Sequence, residues 1–515
     1  MHQNQLFMDN SQTITEAYTF FMLPFSFETD QWKTHLESKL DRWKPNEEEL
    51  YKGDVLFPYI MDLFRQHGET KKSRLDIYRF VPSSFNPKDA KTLFMERVLG
   101  KTSVAVLKKS QPEMSGIPFV LCNKGNFAPL LFVAPTAKIG VLSFCIKVEN
   151  ITIGALKALN GCLCKQRDLD EYQCVCLRPE NQAKSDKDIL QSLIGSDDFW
   201  KSDRRKTWQR EEYVLWTLKG FADGVLATFG KKAEERAIHY FNNDRMHLFT
   251  YCFKEENVGE TKREDVVPEL LRLSRGVGDD LMLPFEQLER EDGVIQVYGN
   301  VCFSVSMEGT AAMAWGNSPF VKEFQSSFGR TYFVVYMLAL LQRYTLFNIE
   351  NQLNMLEYSG KQDDEELWEL IELICRLKVN CYYTDVSFYS HYSQFYQHCC
   401  KHLNVIEAFN EIDGKVGLLK LTTERNMDKF MKESEAQQAQ FKEATEKSLN
   451  ITNYVISFLT VLTTIPVVHD IIETRVSHPM RWSFGAGAVV AAILFIVMIY
   501  PRISNKSKKT KNDEK

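Results

Sequence analysis

The sequence offers no leader: "MHQNQLFMDNSQTITEAYTFF" has no basic residues followed by an apolar run, so no secretory signal is expected there. It has no excess of positive charge either. Across 515 residues the formal net charge is −5, which gives no reason to expect direct nucleic-acid binding. It has no C-x-x-C knuckle of the kind zinc prefers. Cys162 and Cys164, then Cys174 and Cys176, are C-x-C pairs with nine residues between them, and buried thiols suit that spacing better. Without a secretory signal, the twelve cysteines fit a reducing cytoplasm as free thiols. Signatures of catalysis are missing too. No Ser/His/Asp or paired-carboxylate pattern stands out. The "GKTS" at 100–103 lacks the glycine a phosphate-binding loop needs five residues earlier, where Met95 stands. No enzyme and no required cofactor are expected.

What is present reads as a folded chain long enough for two or three domains. Hydrophobic residues make up 44% and charged residues 25%, and a mean hydropathy of −0.29 places most of the mass in water. In residues 1–325, "AYTFFMLPFSF", "SRLDIYRFVP", "IGVLSFCIKVE", "YQCVCLRP", "RMHLFTYCF" and "GVIQVYGNVCFSVSM" have the β-branched and aromatic content of strands. "ITIGALKALNGCLCK", "REEYVLWTLKGFADGVLATF" and "VVPELLRLS" suggest helices. The expected fold is an α+β or α/β cytosolic domain over 1–325, followed by a helical bundle with a long stalk helix over 326–450.

Residues 451–468 and 483–500 are each 18 residues long and uncharged, which predicts a C-terminal two-helix transmembrane hairpin over 451–500. Lys432, Lys442 and Lys447 precede it, and Arg502, Lys506, Lys508, Lys509, Lys511 and Lys515 follow, against Arg475 and Arg481 in the connector. That asymmetry places both termini in the cytoplasm, as in a multi-pass protein of the cell's inner membrane. The basic tail, 501–515, would touch anionic lipid of the bilayer. Asn450, Asn453, Ser457, Thr460 and Thr464 step by three and four along one stripe of the first segment. Such a stripe serves helix packing or lines a water-filled path; ending at a charged mouth, with Asp470 and Glu473 beyond it, it favours the path. Upstream, residues 403–449 are charged and free of proline. Ile406, Phe409, Ile412, Val416, Leu419, Thr423, Met427 and Phe430 mark a helical seam, with a bend or break expected at Gly414 and Gly417. Beyond Phe430 the seam turns polar through Ser434, Gln437, Phe441, Ala444 and Ser448, and runs into Asn450 and Asn453.

The stalk that feeds a first span, "PMRWSFGAGAVVAAILFIVMIY" leading the second, and the tail "SKKTK" resemble the CorA family of metal-ion transporters over roughly the last 190 residues. The resemblance implies a homo-oligomer, a pentamer in that family, with the first span lining a pore. The family's Gly-Met-Asn signature is absent; "IPVVHDIIETRVSHP" stands in its place. A large domain ahead of such a segment is similar to the CorA-type membrane effectors of type III CRISPR antiviral defence. That similarity implies a channel or effector gated by a nucleotide second messenger, an S-adenosylmethionine–AMP conjugate. The alternatives are a divergent divalent-cation transporter of the magnesium type and a membrane-anchored enzyme or scaffold.

For such an anionic ligand, "FWKSDRRKTWQREE" supplies Arg204, Arg205 and Arg210 for phosphate, with Trp200 and Trp208 to stack on a base. A second patch is Arg272 and Arg275 in "LLRLSRGVGDD", where a glycine-rich turn would present backbone N–H groups. Either patch also reads as an ordinary solvated face. His391, His398 and His402, spaced by seven and four, would share one helical face. That spacing fits a divalent cation or a half-exposed polar face of the bundle.

Overall fold

The structure, a computed structural model, describes residues 13–27, 43–46, 50–51, 55–64, 75–80, 98–107, 116–165, 172–177, 213–226, 238–242, 245–256, 261–277, 293–359, 371–375, 383 and 385–473. In chain order the first elements are β1 (Thr13–Phe27), β2 (Trp43–Pro45), α1 (Pro58–Phe64), β3 (Asp76–Phe80), β4 (Thr102–Leu107), β5 (Ile117–Leu121), β6 (Leu130–Ala134) and β7 (Ile139–Thr152). Then come α2 (Ile153–Leu163), β8 (Tyr172–Leu177), β9 (Tyr213–Trp216), α3 (Leu218–Leu226), β10 (Ile238–Tyr240), β11 (His247–Lys254) and α4 (Arg263–Arg275). The last are β12 (Val294–Tyr298), β13 (Val301–Val305), β14 (Gly309–Trp315), α5 (Pro319–Ser327), a π turn (Phe328–Tyr332), α6 (Phe333–Ser359), α7 (Ser390–His402) and α8 (Val405–Glu473).

The strands form one mixed sheet whose main path is β12-β13-β14-β11-β1-β7-β5-β4-β8-β9. β1 is its hub. It runs antiparallel to β7 along almost its whole length, and its other edge is shared by β11 and β10. The pairing of β11 with β14 is parallel, whereas β14 meets β13 antiparallel. Side chains of a strand alternate between faces, and the neighbours Phe20 and Phe21 show both layers. Phe21 stacks on Phe144, which meets Phe221 of α3, on the face also covered by α2 and α4. Phe20 packs on Phe249 and on Phe333 of α6. There Phe249 also stacks on Phe328 at 4.1 Å and on Tyr336 at 5.0 Å between ring centroids. Each fully buried aromatic contributes on the order of 2–3 kcal/mol by its area alone.

This arrangement corrects the expected bundle after residue 325. α5, the π turn, α6 and α7 form the second helical layer on the sheet, with Tyr332 and Phe395 both packed on Phe303 of β13. Their apolar residues are spent on the sheet, not on one another alone. The segment "YVLW", expected within a helix, is strand β9, because it extends the sheet beside β8.

The chain divides into two compact units, Met1–Lys415 and Val416–Lys515. α8 continues unbroken past Gly414 and Gly417 over 69 residues. No helix among the described residues is long and apolar enough to cross a membrane. That finding overturns the expected transmembrane hairpin, and with it the membrane channel and the multi-pass placement in an inner membrane. The physical reason is visible in α8. It is a long helix, but in its stretch 451–457 Thr452, Asn453, Tyr454 and Ser457 interrupt the aliphatics, and the turns before it are charged. The second expected span, 483–500, lies outside the described residues.

Candidate functional site

α8 is rooted in the sheet domain through α6, and the polar groups at that root are unusually well connected. His247 begins β11, facing α6. Its Nε2 lies 2.5 Å from the hydroxyl of Tyr344, and both side chains are buried. Burial, with the Arg343 guanidinium nearby, lowers the imidazole from its ordinary value to about 3, so it is neutral at physiological pH. Burial raises the Tyr344 hydroxyl, which therefore keeps its proton. The next residue, Arg343, donates from Nη1 to the carbonyl of Leu403. Leu403 closes α7, and Asn404, at φ 53°, turns the chain into α8. One residue earlier on α6, Gln342 accepts from the Tyr396 hydroxyl of α7 at 3.0 Å. Further along, Glu350 of α6 pairs with Lys415 of α8 at 2.8 Å, and Lys415 also meets Glu411. Consecutive residues of one helix thus hold the sheet, the end of α7 and the start of α8.

A second polar cluster lies on the opposite face. Thr19 of β1 and Thr250 of β11 share a hydroxyl contact of 3.3 Å, and the Asn160 amide of α2 donates to Thr250. One turn earlier on α2, Lys157 bonds Glu269 of α4 at 2.5 Å with both side chains buried. Arg272 takes the other carboxylate oxygen of Glu269 at 3.3 Å. A charge with so little water around it is tolerable only when paired, so this cluster fixes α2 to α4.

The residues singled out by sequence fall as follows. Trp200, Arg204, Arg205, Trp208 and Arg210 lie outside the described residues. Arg272 and Arg275 occupy the last turn of α4, where Arg272 is committed to Glu269 and the Arg275 carbonyl accepts from Arg245. The glycine turn beyond them is a helix stop. Gly276 sits at φ 60°, its N–H bonds the Leu273 carbonyl, and the Val277 N–H bonds Arg272. Those donors are used, and a helix C-terminus carries the wrong partial charge for a phosphate. "GKTS" leads into strand β4, with Ser103 buried against the Trp216 indole, and not into a helix N-terminus. Cys162 and Cys164, at the end of α2, form no disulfide, and burial pushes Cys164 up to about 11. Cys174 and Cys176 lie on β8.

Asn450, Asn453, Ser457 and Thr460 are exposed on α8, which also contains Thr464, Asp470 and Glu473. The Thr460 hydroxyl donates to the Ile456 carbonyl of its own helix. His391 bonds the Tyr298 hydroxyl at 3.2 Å within an aromatic cluster, whereas His398 and His402 lie side by side two turns on. Among the described residues no group of three or more His, Cys, Asp or Glu side chains assembles to hold a metal. The root of α8 was not singled out by sequence. Its one local signal was "LLQRYTLF", an Arg-Tyr pair inside an apolar helical run. No protein-family model matches the chain and no curated protein matches it, so its function is argued from its own residues.

Proposed function

We propose that this protein is a ligand-responsive effector. Its sheet domain reads a small anionic ligand of nucleotide type, α8 is the output element, and copies of the chain associate through α8. In this reading the ligand is bound and not turned over. The observation that carries it is the continuous set of contacts from His247 of β11, through Tyr344 and Arg343 of α6, to the Leu403 carbonyl at the base of α8. A change in the sheet that shifts α6 by a fraction of an ångström alters the hydrogen bond at the point where α8 begins. Packed interfaces of this kind switch between discrete arrangements and do not deform gradually. Association is supported by the surface of α8. Phe441, Leu449, Ile451, Val455 and Ile456 are all more than half exposed, on a helix otherwise rich in Glu, Lys and Gln. In proteins most helical stability comes from packing an apolar face and less from propensity, and a partner would cover these residues.

The test is hydrogen–deuterium exchange on the full chain with an S-adenosylmethionine–AMP conjugate, with AMP and S-adenosylmethionine as controls. Slower exchange in the sheet domain together with altered exchange in the first turns of α8 is the expected result. Binding that leaves α8 unchanged would remove the output role, and consumption of the conjugate would make the protein an enzyme.

A further inference from the structure

Single exposed apolar residues are ordinary on a protein surface, but a contiguous group of exposed rings marks a binding surface. One such group joins the start of α1 to the segment before α7. The Phe57 N–H bonds the Val386 carbonyl, Leu56 bridges Ser387, and the Tyr59 hydroxyl donates to the Asp385 carbonyl at 3.0 Å. Those contacts hold the rings in place. Phe57, Tyr59 and Tyr383 form an offset stack, with interplanar angles of 27° and 29° and centroids 5.4 and 5.0 Å apart. Phe388 meets Phe57 at 76° and 4.4 Å, so it stands as a wall across the end of that stack. Phe388 is 73% exposed and Tyr59 47%. The result is a corner of ring faces open to solvent.

The charge around the corner has one sign. Residues 55–64, 383 and 385–389 contain Asp62 and Asp385, both exposed, and no Lys or Arg. Asp385 accepts from the Gln397 amide at 3.3 Å, a neutral partner, so that bond leaves its charge in place. Tyr59 senses it. Burial raises its hydroxyl from the ordinary value, and the Asp385 carboxylate adds to the rise. The ring faces are themselves the negative side of the aromatic quadrupole. Faces and carboxylates together repel a phosphate and attract a cation. An ordinary ammonium is held back by its strongly bound water, whereas a methylated one sheds water readily and fits against ring carbon. We propose that Phe57, Tyr59 and Phe388, with Asp385, form a site for the quaternary ammonium group of a small soluble cation. The site is separate from the anionic ligand proposed for the sheet domain and has the opposite charge preference. Occupancy would hold residues 55–59 to residues 385–388, the segment that leads into α7.

The experiment is a titration of the full chain with choline at low ionic strength, read by saturation transfer to the N-methyl protons. Transfer is expected for choline and not for its neutral carbon isostere, in which a tert-butyl group replaces trimethylammonium. Phe388→Ala removes one wall and should weaken binding about fivefold or more. Asp385→Asn can keep the Gln397 bond while losing the charge, and should weaken binding about threefold. Phe347→Ala, at a ring 44% exposed on α6, should leave it unchanged, with thermal midpoints compared to verify folding. Equal transfer to the neutral isostere would overturn the proposal, as would unchanged affinity in both Phe388→Ala and Asp385→Asn. Binding to phosphatidylcholine vesicles with no response to soluble choline would overturn it too, since the rings would then serve a lipid surface.

Discussion

His247 is neutral because a charge there would have to be carried without water and beside Arg343. Its folded-state value, about 3, lies below the ordinary 6.5, so as pH falls the unfolded chain takes up the proton first. The stability tied to the neutral ring is complete above about 6.5 and is lost as pH falls from there towards 3. The slope is at most about 1.4 kcal/mol per pH unit. Urea midpoints measured at several pH values should show this fall in the parent chain and a shallower one in His247→Gln. Tyr344→Phe leaves the imidazole without its hydroxyl partner and should cost about 1–3 kcal/mol at neutral pH. The Lys157–Glu269 pair predicts differently. Lys157→Met alone strands Glu269 with only the peripheral Arg272 and should cost about 3–5 kcal/mol, whereas Lys157→Met with Glu269→Leu should recover most of it. A double-mutant cycle by chemical denaturation reads that difference. Neither pair was legible in the sequence. His247 and Tyr344 are 97 residues apart and Lys157 and Glu269 are 112 apart, and nothing local marks either as a partner.

Among the elements, what could be read depended on whether the local residues preferred the state that the fold imposed. β1, β7 and β11 to β13 were legible because their β-branched and aromatic residues suit a pleated, buried surface. β14 was not. "GTAAMAW" has three alanines and one β-branched residue, yet all seven positions are buried between β11 and β13. Its small side chains are used for close approach. At Gly309 a Cβ would stand 2.4 Å from the Leu248 carbonyl, so Gly309→Ala should disturb the start of the parallel pairing and destabilise the protein by about 2 kcal/mol or more. A thermal midpoint lowered by several degrees would register it. α8 was legible as a long helix from its spacing, but the membrane span expected at its end is overturned. A run of 18 uncharged residues is not by itself a span, and Asn, Ser and Thr recur through this one. The helix layer over β13 was read as a bundle because periodicity reports an apolar face without saying what covers it.

At the scale of the whole molecule, association through α8 makes its own prediction. Phe441→Glu and Val455→Glu place charges on residues that are 75% and 52% exposed in the single chain, so neither should disturb the monomer fold. Light scattering after size exclusion should nevertheless show a smaller assembly for each variant than for the parent, if copies meet along this helix. An unchanged mass would mean that the apolar residues of α8 serve another purpose. The hub position of β1 carries a consequence for how the protein is made. Thr13–Phe27, the first of the described strands, has partners at residues 139–152 and 247–254, and β11 in turn waits for 309–315. At about 5–20 residues per second, roughly ten to forty seconds of synthesis separate β1 from β11. During that interval "TFFMLPFSF" is an aromatic strand without its second neighbour, and a topology with such distant partners closes slowly. Yield of native protein should therefore depend on translation rate and on chaperone supply well before any ligand is met.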